Sequence, residues 1–344
     1  MTVPGLEAVA AQEIEQELGA TIKRTSPGQV VFRPPVIDRS LLQLRTVEDV
    51  FLLAWGTDQL TRRASKDLDA ITRWTARASD WNRLLQLHHA VRPKPQGRTT
   101  YHLVAQKHGE HVYRRVDALK ALARGLDGKF PTTWRPVHED AAVEVWLTIR
   151  EESAICGLRL TDKTMRHRTY KEEHLPASLR PVVAAAMVRL AQAQPSQLLL
   201  DPMCGVGTIL AERLLADRRS RVIGGDVEEA AVRAAKDNLR HLGEAWLARW
   251  DARQLPVPDR SIAHLACNPP FGKQLGEPED IGMLYAEMVV EFDRVLKPGG
   301  RAVLLVSDMA ALARAVRAVS WKRLEQFRLR ILGQGAMLTV WSKP

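Results

Sequence analysis

Residues Asn268 to Phe271, which read NPPF, combine groups that could hold a ligand rigidly. Each proline fixes its own φ angle and lacks an N–H donor, so the pair ends any regular strand or helix. The prolines stand between an amide side chain, which both donates and accepts hydrogen bonds, and an aromatic ring. Most Pro-Pro pairs only punctuate loops. Two alternatives are therefore open for NPPF, a plain strand end or a rigid clamp.

A glycine-containing turn follows an earlier apolar run. Asp201 comes directly after QLLL and opens the segment DPMCGVGTILAE. Gly205 and Gly207 allow a tight turn, and a helix that begins near Thr208 would offer unpaired N–H groups to a ligand. Leu210 occupies the place of the third glycine of a dinucleotide loop. The turn alone therefore does not separate a ligand loop from an ordinary strand–helix connection.

Two further acids end the next two apolar runs. Asp226 follows RVIGG about twenty residues after the glycines, where a carboxylate can accept both hydroxyls of a ribose. Asp251, followed by the small Ala252, can accept from an adenine amino group while the neighbouring N–H donates back. Each acid taken singly is more often a helix cap or turn former. Asp201, Asp226, Asp251 and Asn268 in register favour a ligand site.

The elements that would position these residues alternate regularly from residue 181 onward. Apolar runs of four to eight residues alternate with helical patterns, which predicts a parallel sheet covered by helices on both faces. Ligands of such sheets bind at the carboxyl ends of the strands. The final runs, RLEQFRLRIL and AMLTVWSKP, are separated by GQG and predict a hairpin at the sheet edge.

This register of motifs resembles the class I S-adenosylmethionine-dependent methyltransferases. The resemblance covers about 165 residues and implies a Rossmann-like domain with a seven-stranded, mostly parallel sheet. It implies that the turn surrounds the methionine part of S-adenosylmethionine, that the second acid binds the ribose and that the third binds the adenine. The implied cofactor-binding residues are Asp201, Met203, Cys204, Gly205, Gly207, Thr208, Asp226, Val227, Asp251, Ala252 and Asn268.

Within that superfamily, NPPF resembles the motif of enzymes that methylate an exocyclic amino group of a base. The lone pair of such an amine is delocalised into the ring, so the amine attacks poorly. The side-chain oxygen of Asn268 and the carbonyl of Pro269 can accept its two hydrogens, while Pro269 and Pro270 fix both acceptors. Phe271 can stack on the base. The resemblance makes Asn268, Pro269, Pro270 and Phe271 the expected catalytic residues.

Composition restricts the partners. The chain of 344 residues carries 50 Lys and Arg against 40 Asp and Glu, a net charge of +10, which favours a polyanionic partner. Three widely spaced cysteines fit neither a disulfide framework nor a zinc site, so we expect no metal and a reducing cytoplasm. Apolar runs are too short for a membrane span, and no signal segment precedes the first helix. We expect a cytoplasmic monomer without membrane contact.

The first half of the chain carries a second resemblance. The stretch TYHLVAQKHGEHVYRRVDALKALARGLDGKF, with EDAAVEVWLTIREESAICGLRL after it, resembles the THUMP RNA-binding domain. The opening PGLEAVAAQEIEQELG is similar to the ferredoxin-like module that precedes it. LPASLRPVVAAAMVRLA and NPPFGKQLG are similar to segments of the THUMP-containing tRNA guanine-N2 methyltransferases. We predict a ferredoxin-like module over 1–60, a THUMP domain over 61–162, a linker over 163–180 and a methyltransferase domain over 181–344.

That family resemblance implies a tRNA substrate, with the THUMP domain gripping the acceptor end and the methyl group going to the N2 of a guanosine, usually position 6. Alternatives are a methyltransferase for ribosomal RNA or DNA, and a non-catalytic RNA-binding protein with a cofactor-like fold. Basic side chains could bind phosphates, although for each one an ordinary solvated surface residue is the alternative. The candidates are Arg98, Lys107, Arg114, Arg115, Lys120, Arg124, Arg166, Arg168 and Lys273.

Overall fold

The computed structural model describes residues 1–61, 63–77, 80–93, 96–173, 178–271, 278–331 and 333–344. The helices are α1 (Glu7–Leu18), α2 (Ala64–Arg77), α3 (Trp81–Val91), α4 (Arg115–Gly125), α5 (Lys163–Arg166), α6 (Pro181–Ala191), α7 (Thr208–Ala216), α8 (Glu229–Leu239), α9 (Pro278–Val295) and α10 (Met309–Ala318), with a 3-10 helix over Arg39–Gln43. The strands are β1 (Thr21–Ser26), β2 (Gln29–Arg33), β3 (Phe51–Thr57), β4 (Thr100–His108), β5 (Arg135–Pro136), β6 (Val143–Arg150), β7 (Ser153–Arg159), β8 (Leu198–Asp201), β9 (Arg221–Asp226), β10 (Glu244–Arg249), β11 (Ile262–Cys267), β12 (Leu296–Val306), β13 (Lys322–Ile331) and β14 (Gln334–Ser342).

The larger of two compact units contains a seven-stranded sheet in the order β10-β9-β8-β11-β12-β14-β13. The first five strands are parallel, and β14 runs antiparallel to both of its neighbours. The chain order reverses between β8 and β11, which is the place where sheets of this kind bind ligands. The predicted α/β class, the mostly parallel sheet and the closing hairpin are confirmed.

Alternate residues of β12 show how this sheet is covered. Ala302, Leu304 and Val306 pack into a core with α9 and α10, whereas Val303 and Leu305 pack into a second core with α6. A strand with both faces buried needs apolar residues at every position, because successive side chains point to opposite faces. The run AVLLV therefore belongs at the centre of the sheet, and its burial on both faces holds the neighbouring strand ends in place.

The amino-terminal segment differs from the predicted boundary at residue 60. Met1–Arg33 and Arg45–Glu48 cluster with Lys163–Pro344, while Pro34–Leu44 and Asp49–Asp162 form the smaller unit. The physical reason is apolar burial, since Leu6 and Val9 share a core with α6. The segment predicted as a linker, 163–180, also belongs to the larger unit.

The smaller unit holds a five-stranded mixed sheet in the order β3-β7-β6-β4-β5. β6 and β7 form an antiparallel hairpin as the sequence predicts, and β4 runs parallel to β6. α2 and α4 pack against each other, and Gly125 allows this contact because a Cβ there would lie 2.5 Å from Thr75 Cβ. The assignment of residues 61–162 to a THUMP domain stays a prediction.

The described residues contain neither a membrane-spanning helix nor a cluster of metal-ligating side chains. None of the helices combines the length and the apolar character that crossing a bilayer requires. No group of three or more His, Cys, Asp or Glu side chains is arranged to hold a metal ion within the same described ranges.

Candidate active site

The turn after β8 is built by backbone conformations that favour glycine. Gly205 and Gly207 have φ angles of +53° and +79°, in the left-handed region. A Cβ on Gly207 would also lie 3.2 Å from Ala235 Cβ, so the turn packs closely on α8. The N–H of Gly207 donates to the carbonyl of Cys204 over 2.8 Å, and α7 begins at Thr208. The turn presents the start of α7 to the carboxyl edge of the sheet.

Asp226 links this turn to the end of β9. Its Oδ2 accepts a hydrogen bond from the N–H of Gly205 over 3.0 Å, and its Oδ1 accepts from the N–H of Glu228 over 3.1 Å. A carboxylate oxygen has more than one acceptor site. Both oxygens can therefore accept additional hydrogen bonds from a pair of hydroxyls, as a ribose would supply.

Asp251 follows β10 and is paired with Arg253. The Nε of Arg253 lies 3.0 Å from both carboxylate oxygens, and its terminal nitrogen donates to Oδ2 over 2.7 Å. The hydrogen bonds from Arg253 lower the pKa of Asp251, so this acid stays ionised as an acceptor. Arg253 also bridges to Glu287 on α9 over 3.2 Å. Sequence reasoning missed Arg253, although its position two residues after Asp251 was a usable signal.

These elements surround a cavity of about 710 Å³, a volume in the range of small-molecule sites. The connector, which comprises the described residues 167–173 and 178–180 before α6, contributes Leu179 to the cavity wall. The helix α9 contributes Met283, Leu284 and Glu287. The predicted site residues that line the cavity are Asp201, Met203, Cys204, Gly205, Thr208, Asp226, Val227, Asp251, Ala252, Asn268 and Pro270. Gly207, Pro269 and Phe271 are not among its lining residues. Gly207 lies on the side of the turn that packs against α8.

Asp201 gives the cavity its electrostatic character. Its side chain is only 1% exposed, and its Oδ1 accepts one weak hydrogen bond from the N–H of Met203 at 3.3 Å. Burial raises the pKa of Asp201 well above 3.8, and the nearby charge of Asp226 raises it further. Such a site gains by taking up positive charge. A sulfonium and an ammonium group, both present in S-adenosylmethionine, fit this requirement.

Asn268 directly follows the neighbouring strand β11. Cys267 pairs with Leu304 of β12, which places Asn268 at the carboxyl edge beside β8. Its Oδ1 is buried and has no hydrogen-bond partner among the described residues. An unmade hydrogen bond to a buried acceptor costs about 1–3 kcal/mol. This oxygen is therefore suited to a donor that arrives with a substrate.

Pro269 is buried, whereas Pro270 and Phe271 are partly exposed. The ring of Phe271 packs against the core that contains α6. The structure thus gives the ring a supporting contact on the protein side. Its predicted stacking on a base is not tested by these contacts and stays a prediction.

The predicted RNA-binding residues divide by exposure. Arg114, Arg115, Lys120 and Arg124 are exposed on or next to α4. Arg98 is exposed and donates to the carbonyl of Thr133, and Lys107 and Arg166 are half-buried. Lys273 lies outside the described residues.

The prediction for Arg168 is corrected by its burial. Its Nε donates to Glu212 over 3.2 Å, and its terminal nitrogens donate to the carbonyls of Met165 and Arg45. Tyr170 donates to the same Glu212 over 2.8 Å. Because its guanidinium is buried and bonded to these groups inside the larger unit, Arg168 is a structural residue and is not accessible to a phosphate.

Asn238 on α8 supports the site, and the sequence did not reveal this role. Its Oδ1 accepts from the N–H groups of Glu172 and Glu173, both over 3.0 Å, and its Nδ2 donates to the carbonyl of Val206 over 3.0 Å. It therefore fastens the connector before α6 to the glycine turn. No local motif marks such a residue, since all of its partners are more than thirty positions away.

The chain is similar to known methyltransferases. Residues 168–335 match the family described as RMKL-like, methyltransferase domain. Over 228 residues the chain is 32% identical to the tRNA (guanine(6)-N2)-methyltransferase of Thermus thermophilus, which covers 65% of this chain and 67% of that relative. It is 29% identical over 251 residues to the Bos taurus tRNA (guanine(6)-N(2))-methyltransferase THUMP3, covering 68% of this chain and 49% of that protein. The chain thus spans about half the length of the bovine relative.

A solved structure matches over the whole chain. The crystal structure of TrmN from Thermus thermophilus aligns with a TM-score of 0.79 and 26% identity, covering 100% of this chain and 98% of that one. Together with the strand-end acids and the NPPF motif, these similarities show that the chain belongs to the family of S-adenosylmethionine-dependent tRNA (guanine-N2)-methyltransferases.

Proposed function

We propose that this protein methylates the N2 of a guanosine in the acceptor stem of tRNA, at position 6, with S-adenosylmethionine as the methyl donor. The observation that carries the proposal is the buried Oδ1 of Asn268, unpartnered within the described chain, beside a cavity lined by three strand-end acids. The relatives named for guanine(6) support the position.

The residues of the chain divide the work of holding the donor. Asp201 offers its buried carboxylate to positive charge, Asp226 offers two oxygens to the ribose, and Asp251 with Ala252 faces the adenine. When bound, the cofactor supplies an activated methyl group on a sulfonium.

Asn268 prepares the acceptor amine. Its Oδ1 and the carbonyl of Pro269 take the two N–H hydrogens, which directs the nitrogen lone pair away from the guanine ring. The cofactor, held by Asp201, Asp226 and Asp251, would supply its methyl group to this nitrogen, and the extra proton of the methylated nitrogen would pass to water. Positioning does most of this work because the two prolines hold both acceptors still. The step calls for no metal, so we expect a chelator to leave the activity unchanged.

Substitution of Asn268 tests this role. Asn268→Ala should lower kcat by at least about a hundredfold, the usual effect of losing a positioned acceptor or donor, while the cofactor Kd in calorimetry stays within about threefold. Asn82→Ala, at an exposed position on α3, is the matched control. Loss of cofactor binding in Asn268→Ala, or unchanged turnover, would contradict the assignment.

The substrate is tested with separate pools of tRNA, ribosomal RNA and DNA. Mass spectrometry of digested nucleosides should find N2-methylguanosine in tRNA, and mapping should place it at position 6. Label in ribosomal RNA or DNA alone would favour the rival methyltransferase. A calorimetric titration without cofactor binding would favour the non-catalytic RNA-binding protein.

Residues 61–162 are proposed to act as a THUMP domain that grips the acceptor end. The exposed basic residues of α4 support this role. Arg115→Gln with Lys120→Gln should weaken tRNA binding, whereas cofactor binding should not change. We also propose a cytoplasmic monomer as the working form, and light scattering of the protein at micromolar concentration tests the oligomeric state.

A further inference from the structure

The charge of the chain is concentrated in its last segment. Residues 309–344 contain seven Lys and Arg and a single acid, Glu325, whereas the whole chain has a net charge of +10. Glu325 is itself paired with Arg301, which lies outside this segment, over 3.0 Å. More than half of the net positive charge therefore belongs to about a tenth of the residues.

Six of the seven cations are exposed, and within the described chain these six form no ion pair with a carboxylate. Lys343 is the exception, since it pairs with Asp293 over 3.3 Å. Several arginines elsewhere are paired, among them Arg159, Arg253 and Arg294. We call the six the α10–β13 basic surface: Arg314, Arg317, Lys322, Arg323, Arg328 and Arg330.

The hydrogen bonds and ring contact that these arginines do make leave donors free. The Nε of Arg317 donates to the carbonyl of Ala313 over 3.3 Å, and the Nε of Arg330 donates to that of Gly333 over 3.1 Å. Arg323 lies over the ring of Trp341 at 6.0 Å. Each guanidinium has five N–H donors, so most remain available to a phosphate.

Strand register places one end of this surface level with Asn268. Arg328 of β13 is opposite Met337 of β14, which is opposite Val306 of β12, and Cys267 is opposite Leu304. Three strand spacings of about 4.8 Å separate β11 from β13, a lateral distance of about 14 Å. Arg328 and Arg330 therefore flank the carboxyl edge at which the target base must enter.

The helix α10 extends the surface toward the amino ends of the parallel strands. Leu312, Ala315 and Val316 are its buried side, and Arg314 and Arg317 lie on the opposite, exposed side. The chain then enters β13 at Lys322 and returns to the carboxyl edge at Ile331. The basic residues thus continue along the length of both elements.

We propose that the α10–β13 basic surface binds the phosphates of the tRNA substrate on the side of the target nucleotide next to β13. The inference rests on the proposed function, because it assumes that the base reaching Asn268 belongs to tRNA. Five of the six cations are arginines, whose planar fork suits phosphate oxygens. A lipid surface would need several adjoining exposed apolar side chains, whereas Leu324 is the only large exposed apolar residue among the described residues 309–331 and 333–344.

Two double variants test the surface in the full-length protein. They are Arg328→Gln with Arg330→Gln, and Arg314→Gln with Arg317→Gln. Arg218→Gln with Arg233→Gln is the matched control, since these exposed arginines lie near β9, toward the opposite edge of the sheet. The measurements are tRNA Kd at several salt concentrations, binding to vesicles of anionic lipid, kcat and KM for tRNA, and cofactor Kd.

Removal of arginines that bind phosphates should act on binding and not on chemistry. In each test variant the tRNA Kd and KM should rise about tenfold, and the slope of log K against log salt should become shallower by about 1 for each phosphate that is no longer neutralised. The kcat and the cofactor Kd should stay within about twofold, and the control should behave as the wild type.

Three outcomes would overturn the inference: an unchanged salt slope, a defect confined to kcat or cofactor binding, or weaker binding only to vesicles of anionic lipid. If the wild type methylates tRNA while the test variants keep the wild-type slope, the surface fails and the proposed function stands. If the wild type transfers no methyl to tRNA, the proposed function fails, and the slopes measured without cofactor still decide the surface.

Discussion

The N–H of Gly205 donates to the Oδ2 of Asp226 over 3.0 Å, so the turn after β8 and the end of β9 are joined at the cavity. This carboxylate holds the turn through Oδ2, and we propose that both of its oxygens also accept hydrogen bonds from the ribose of the cofactor. A single group therefore couples the shape of the turn to cofactor binding.

Asp226→Asn should weaken cofactor binding by about tenfold to a hundredfold, since hydrogen bonds to a charged group contribute about 1.5–3 kcal/mol. The amide would keep the size of the side chain but present N–H to one of two backbone donors. Calorimetry gives the Kd, and Asp237→Asn, exposed on α8, is the control. An unchanged cofactor Kd in Asp226→Asn would contradict the proposal that Asp226 binds the cofactor.

Asp201 predicts a pH dependence with a definite sign. Because its pKa is raised in the folded protein, its contribution to stability is present below pH 3.8 and is lost as the pH rises through the raised value. Asp201→Asn should therefore raise Tm relative to wild type, and increasingly so at higher pH. Cofactor affinity of the wild type should fall as acidification protonates Asp201. A variant that is less stable at every pH would contradict the proposed burial cost.

Glu212 is the acid around which Arg45, Arg168 and Tyr170 converge. Its side chain is fully buried, and Arg45 donates to it over 2.6 and 2.8 Å. Glu212→Gln would leave the buried Arg168 and the partly buried Arg45 without their carboxylate partner, which costs about 3–5 kcal/mol. Thermal unfolding should show a Tm at least about 6 °C lower. Glu229→Gln, exposed on α8, should leave Tm near the wild-type value.

Asn238 joins the connector to the glycine turn through Val206. Asn238→Ala would leave several backbone groups without partners, and we expect a loss of about 1–3 kcal/mol in the free energy of unfolding. The cofactor Kd should rise as well, because Val206 lines the cavity. Denaturant unfolding and calorimetry measure the two effects. A loss of stability with wild-type cofactor affinity would show that the tie does not shape the site.

His88, buried in the smaller unit, predicts acid sensitivity there. Burial lowers its pKa to about 4, and the charges of His89 and Arg92 act in the same direction. The stability that depends on neutral His88 is present above pH 6.5 and is lost as the pH falls from 6.5 toward 4, by about 3 kcal/mol. His88→Leu should flatten the decrease of Tm over this interval, whereas His138→Gln, at an exposed position, should not.

Local patterns predict most elements of the larger unit. The apolar runs that form β8, β9, β11 and β12 are short, continuous and separated by helical periodicity, so their type follows from sequence. The segment SLLQLRTVEDVFLLAWG predicts a helix followed by a strand, and the chain forms the short 3-10 helix Arg39–Gln43 and the strand β3 there. β1, with the sequence TIKRTS, is not predicted because it has almost no apolar alternation and depends on pairing with β2.

The residues that meet at the carboxyl edge follow from the sequence alone. Parallel strands bring their ends together, so Asp201, Asp226, Asp251 and Asn268 converge wherever their strands are placed in such a sheet. Which charged side chains remain available to a ligand depends, by contrast, on tertiary contacts. Arg168 lies in a charged, aperiodic stretch yet is neutralised by Glu212, 44 residues away, whereas Arg328 has no carboxylate partner in the described chain. The fate of a charge depends on distant contacts and burial, and neither is written in the spacing of nearby residues.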